Sequence, residues 1–117
     1  MAVRVPVTKF LDSDRAMVKF TWSGLLNGDT GTPVEFSNYS QRTIQVNGTF
    51  GAAGSVRVEG SNDDEVTWEI LTDEAAAALV FTASGIGNVA EMVEKIRPKV
   101  TAGDGTTSLT VVMLAKK

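Results

Sequence analysis

The sequence has no cysteine and no histidine, only three prolines, and no apolar run near the ~20 residues that a membrane-spanning helix requires. Without cysteine there can be no disulfide staple and no thiolate metal site. Without histidine the chain lacks the commonest general base, the commonest metal ligand and the side chain that titrates near neutral pH. Met1 to Val7 shows neither a long apolar core nor a small-residue cleavage site, so no secretion leader is expected. The sequons Asn38-Tyr39-Ser40 and Asn47-Gly48-Thr49 then read as chance matches.

What is present is an ordinary single-domain composition: 117 residues, 43% hydrophobic and 21% charged. The net charge of −3 and the pI near 4.8 speak against a nucleic-acid partner, and the lack of long apolar runs speaks against a membrane partner. Charge is unevenly spread. Glu59 to Glu74 holds seven acidic residues and no basic one, whereas Lys95 to Lys117 holds five basic residues against Asp104. Such a bipolar distribution suits self-assembly or docking on a complementary surface; the competing reading is acidic residues in solvated turns.

Period-two alternation dominates the chain. Val18, Phe20 and Trp22 alternate with Lys19, Thr21 and Ser23, and Ile44, Val46, Gly48 and Phe50 keep the same phase over Arg42 to Phe50. Gly51-Ala52-Ala53-Gly54 reads as a tight reversal into Val56 and Val58. Gly60 to Asp64 reads as a second turn into Thr67 to Leu71. Three alternating runs joined by two short turns predict an antiparallel meander over Arg42 to Leu71. Further on, one helical turn is expected at Asp73 to Ala78, a buried strand at Leu79 to Thr82 and a short helical turn at Val89 to Glu94. Pro98 predicts an edge or bulged strand, Gly103-Asp104-Gly105-Thr106 a hairpin, and Leu109 to Leu114 a last strand, which the consecutive apolar residues Val111 to Leu114 imply is covered on both faces. The sum is an all-β, single-domain antiparallel β-sandwich, jelly-roll or immunoglobulin-like, of 7–8 strands. Residues 1–11 are either its first strand or an arm that joins a neighbour's sheet edge.

Few groups could do chemistry. Asp12-Ser13-Asp14 and Ser61 to Glu65 offer oxygen ligands for calcium without the spacing of an EF-hand loop. Ser13, Ser84 and Ser108 have no histidine to activate them, and Gly85-Ile86-Gly87 is only a fragment of a dinucleotide fingerprint. Trp22, Tyr39 and Trp68 could form a sugar platform, but Trp22 shares its phase with Phe20, and Trp68 with Ile70, which assigns both tryptophans to the core. No catalytic residue, metal ligand or cofactor is therefore expected, and the chain reads as a non-enzyme.

Two blocks carry a family resemblance. The first is Gly48-Thr49-Phe50-Gly51, Ser55 to Asp63, Thr67-Trp68 and Leu71-Thr72-Asp73. The second runs from Lys95-Ile96-Arg97-Pro98 through Gly103-Asp104-Gly105-Thr106-Thr107 to Val111. Together they resemble small structural proteins of tailed bacteriophages, of the capsid decoration or cement type, over roughly residues 42 to 114. Lys95 stands where an aromatic is common and Asp64 where glycine is common. The resemblance implies a β-sandwich bound to the outside of the head shell, made in the bacterial host cytoplasm. Its implied partners are the major capsid protein and itself, as a homodimer or homotrimer. The alternatives are another tail or neck component, or a sugar-binding module similar to discoidin-like domains. No motif marks the contact surface. The extended segment Val3, Arg4, Val5, Pro6 and Val7, with the loop residues Asn27 and Asp29, is the expected site.

Overall fold

Alternation such as that of Met17 to Leu25 places valine, phenylalanine and tryptophan on one face, and that face must be covered. In the computed structural model, which describes residues 2–11, 16–35 and 39–117, the cover is a second sheet. The first six strands are β1 (Val3–Arg4), β2 (Val7–Phe10), β3 (Met17–Leu25), β4 (Thr30–Gly31), β5 (Val34–Glu35) and β6 (Gln41–Thr49). The remaining six are β7 (Ser55–Ser61), β8 (Glu69–Ile70), β9 (Val80–Phe81), β10 (Gly85–Asn88), β11 (Lys95–Ala102) and β12 (Ser108–Lys116). A seven-stranded sheet runs β1-β4-β11-β7-β8, with β5 also on β11 and β9 also on β7. A five-stranded sheet runs β10-β6-β12-β3-β2. Every pairing is antiparallel except that of β1 with β4. The all-β sandwich is as expected, and the strands beyond eight are two-residue pieces such as β4 and β5 that line one long neighbour.

The core lies between the sheets. Val18, Phe20, Trp22, Ile44, Val46, Val111 and Met113 from one side meet Val56, Val58, Ile96 and Val100 from the other, all buried. Trp22 is fully buried and its indole N–H donates to the Thr32 carbonyl at 3.0 Å, which satisfies the ring's one polar group. The ring fits because position 31 is glycine. A Cβ there would stand 2.7 Å from Trp22 Cδ1 and 2.6 Å from the Pro98 ring.

The expected meander is not one sheet. β6 and β7 belong to different sheets, so Gly51 to Gly54 arches over the core instead of closing a hairpin. β11 and β12 are likewise in different sheets, so Gly103 to Thr106 is a second arch. Of the two links in the expected meander, only that from β7 to β8 reverses within a sheet, with Glu59 opposite Ile70. The two arches lock together. Asp104 accepts the Ala52 N–H at 2.8 Å, and the Thr107 hydroxyl donates to the Phe50 carbonyl at 2.8 Å. Gly51, at φ +72°, makes that approach possible, since a Cβ would lie 2.2 Å from Asp104 Oδ1.

Other local expectations give way to the same packing. Neither helical turn forms. Ala76 sits at φ +64° in a loop whose Ala75 and Ala77 N–H groups bond Asp73 Oδ1, both at 2.9 Å. Over Val89 to Glu94, the N–H groups of Val89, Ala90 and Glu94 go to Arg42, Thr72 and Asn62, outside the segment. At Leu79 to Thr82 only Leu79 is deeply buried, and the short β9 that follows runs at the sheet's rim with Val80 exposed. Pro98 lies on an inner strand, opposite Val58. Val58 spends its own backbone groups on Leu79 and Leu71, so Pro98's missing donor faces the gap between β4 and β5; the bulge comes later, at Val100 to Ala102. β12 is central in its sheet. Val111 and Met113 face the core, while Val112 and Leu114 are half-buried on an outer face shielded by β3 and β6 and not by a third layer.

Candidate interaction surfaces

The N-terminal segment joins its own molecule. β1 adds to the seven-stranded sheet through β4, and β2 adds to the five-stranded sheet through β3, so residues 3–10 strap one side of the sandwich. Of the two readings left open for this segment, it is a first strand divided between two sheets. Pro6 falls in the crossing between them, where a ladder donor is not needed. Alternation then does something unusual for a strand end. Arg4 and Pro6 are half-buried, whereas Val3, Val5 and Val7 are 66%, 78% and 69% exposed. Phe10, Leu11 and Leu26 are also exposed. An apolar row on an unpaired sheet edge is an interaction or aggregation surface by default.

Asp29 fixes this edge. The sequence places it in an exposed loop, but it is 3% exposed, a correction with a clear cause. Its carboxylate accepts the Ala2 N–H at 2.9 Å, the Leu26 N–H at 2.9 Å and the Arg4 guanidinium at 3.0 Å. Burial alone pushes its pKa up, and these bonds from Leu26, Arg4 and Ala2 outweigh it, so the group stays ionised below the usual carboxylate range. Asn27 remains exposed on the turn that Asp29 closes. The structure thus brings Arg4 and Asp29 together, keeps the three valines and Asn27 at the surface and removes Asp29 from any direct contact.

The second surface is the outer face of the seven-stranded sheet. Glu59 is buried there between two arginines, with Arg57 at 2.6 Å and Arg97 at 2.9 Å. Arg97 also lies 4.0 Å from the centre of the Trp68 ring. Trp68 is therefore not in the core; it is half-buried outside the sheet, and Ile70 beside it is 39% exposed. The phase of Trp68 and Ile70 is right, but that phase points outward. Part of the bipolar charge is paired here, since Lys95 also pairs with Glu65 at 2.8 Å. The alternation of β7 and the isolated position of Arg97 on β11 were the available signals, and neither identifies a pair without the register.

Of the calcium candidates, Asp12 to Asp14 lie outside the described residues, as does the Asn38 sequon. In the other, Asp63 Oδ1 accepts the Ser61 hydroxyl and the Thr67 N–H at 2.8 and 2.9 Å and so braces the turn. Among the described residues no group of three or more carboxylates is arranged to hold a metal ion.

No protein-family model and no curated protein matches the sequence. Among solved structures, the chain is similar to the SPBc2 prophage-derived protein YomS. The TM-score is 0.67 at 10% identity, over 86% of this chain and 95% of that one. The two chains share a fold. Protein NMB1881 from Neisseria meningitidis aligns with a TM-score of 0.44 at 12% identity, over 96% and 83% of the two chains. Peruvianin-I, a cysteine peptidase from Thevetia peruviana latex, aligns at 0.48 and 13%, over 96% and 61%. At those scores neither carries an argument about chemistry.

Proposed function

We propose that this chain is a tailed-bacteriophage virion protein that decorates the exterior of the head shell and stabilises contacts between major capsid subunits. Its partners in this reading are the major capsid protein and a second copy of itself, as a homodimer or homotrimer. The resemblance of residues 42 to 114 to decoration proteins supports it, as does a fold shared with a prophage-derived protein. The observation that carries it is the clamped N-terminal edge, where Val3, Val5 and Val7 are held exposed on a strap that Asp29 makes rigid. Rigid exposed apolar residues bind with little ordering cost, and a ligand that binds only the assembled shell stabilises it by mass action. A sugar-binding role is less well supported, because a guanidinium already covers one face of Trp68.

Purified protein mixed with cognate capsids that lack it should co-sediment and raise the melting temperature of the shell. The combined Val3→Ser, Val5→Ser and Val7→Ser protein should keep its own melting temperature and lose co-sedimentation. No binding of the unaltered protein at micromolar concentration would reject the reading.

A further inference from the structure

The five strands of the β10-β6-β12-β3-β2 sheet contain no aspartate or glutamate, in a chain with a net charge of −3. Register assigns its outer face residue by residue. Val7 and Lys9 lie opposite Thr21 and Lys19, and Met17, Lys19 and Thr21 lie opposite Lys116, Leu114 and Val112. Those three in turn lie opposite Gln41, Thr43 and Gln45, with Asn88 and Ile86 beyond. The result is a flat face of lysine, amide and hydroxyl groups around an apolar centre. Lys9, Lys19 and Lys116 make no ion pair among the described residues. A hollow of about 300 Å³ opens on it, lined by Met17, Thr43, Asn88, Leu114 and Lys116, with Glu74 the one carboxylate among the described residues that line it.

A complementary shape exists on the opposite sheet. In the turn between β7 and β8, Asp64 and Glu65 both take left-handed backbone conformations, at φ +58° and +68°. Non-glycine residues persist there only when their surroundings hold them. The hold is visible: Asp63 braces the turn from inside, Asn62 Oδ1 accepts the Glu94 N–H at 2.7 Å, and Lys95 holds Glu65. The tip so fixed presents Val66, 80% exposed, beside the carboxylate of Asp64, which has no ion-pair partner among the described residues.

We propose that the Asp64 to Val66 tip of one copy seats in the Met17–Leu114 hollow of a second copy, with Val66 on the apolar floor and Asp64 beside Lys116. Charge selects this occupant. Pairing two such faces directly would set lysine against lysine, whereas tip on face sets acid against base. Because tip and hollow lie on opposite sheets, the contact is heterologous: it passes from copy to copy and closes as a ring. It rests on the self-association part of the proposed function and makes no use of the capsid.

Light scattering at about 100 μM protein should show an oligomer in 50 mM salt that dissociates toward monomer in 500 mM salt. Lys116→Glu and Asp64→Lys should each weaken association at least tenfold while circular dichroism melts show both folded. An equimolar mixture of the two should assemble again, since each then offers what the other lost. A monomeric unaltered protein would overturn both the contact and self-association, and would leave the lysine face to some other acidic protein. An oligomer insensitive to both substitutions would overturn the contact alone and leave self-association standing.

Discussion

Asp104 accepts the Thr106 hydroxyl, the Ala52 N–H and the Thr106 N–H, and these bonds hold its pKa at about 2 against an ordinary 3.8. A carboxylate with a lowered folded pKa contributes stability above its unfolded pKa and loses it as pH falls through the folded value. Asp104→Asn should therefore lower the melting temperature at pH 6. That deficit should shrink between about pH 4 and pH 2 and vanish below, as thermal melts across that range will show. Asp29 works the same way in a buried setting. Asp29→Asn removes three charge-assisted bonds at once and should cost about 2 kcal/mol in urea titrations. It should also speed hydrogen exchange at Thr30 and Thr32, whose N–H groups bond Ala2 and Arg4. The two tryptophans should separate cleanly. Trp22→Ala leaves a cavity in a fully buried site and should cost about 4 kcal/mol. Trp68→Ala loses a cation–π contact at the surface and should cost about 1 kcal/mol.

At the scale of elements, alternation located β3, β6 and β7, and the residues flanking Pro98 and the apolar run Val111 to Leu114 located β11 and β12. What alternation does not encode is partnership. Gly51, Ala53 and Gly103 mark reversals of the chain, but a reversal within a sheet and an arch between sheets use the same residues. The difference lies in Asp104 meeting Ala52 across 52 positions, which no local pattern contains. Trp68 shows the same limit, because its phase is legible and the side on which the core lies is not. The candidate surface was legible in part: strand-forming residues broken by Pro6 read as a first strand or as an arm on a neighbour's sheet edge, while the burial of Asp29 required knowing that Ala2 and Arg4 return to it. Glu59 was legible only as one acid among seven. In the folded chain it is the buried centre of two ion pairs, so Glu59→Ala strands two arginines and should cost about 3 kcal/mol in denaturant titrations.

Across the whole molecule, the uneven charge of the sequence resolves into surfaces of different kinds. The acidic stretch and the basic strand β11 meet on one sheet, where Glu59 pairs with Arg97 and Glu65 with Lys95. The opposite sheet keeps lysines without any carboxylate of its own. Between them runs the strap of exposed valines. In the proposed reading the apolar edge meets the shell and the basic face meets a second copy of the chain. The most direct test is a cryo-microscopy reconstruction of the virion. Density for this sandwich is expected on the outside of the head, with Val3 to Val7 against the major capsid protein. Density on the tail or neck, or on the head with that edge turned to solvent, would contradict it.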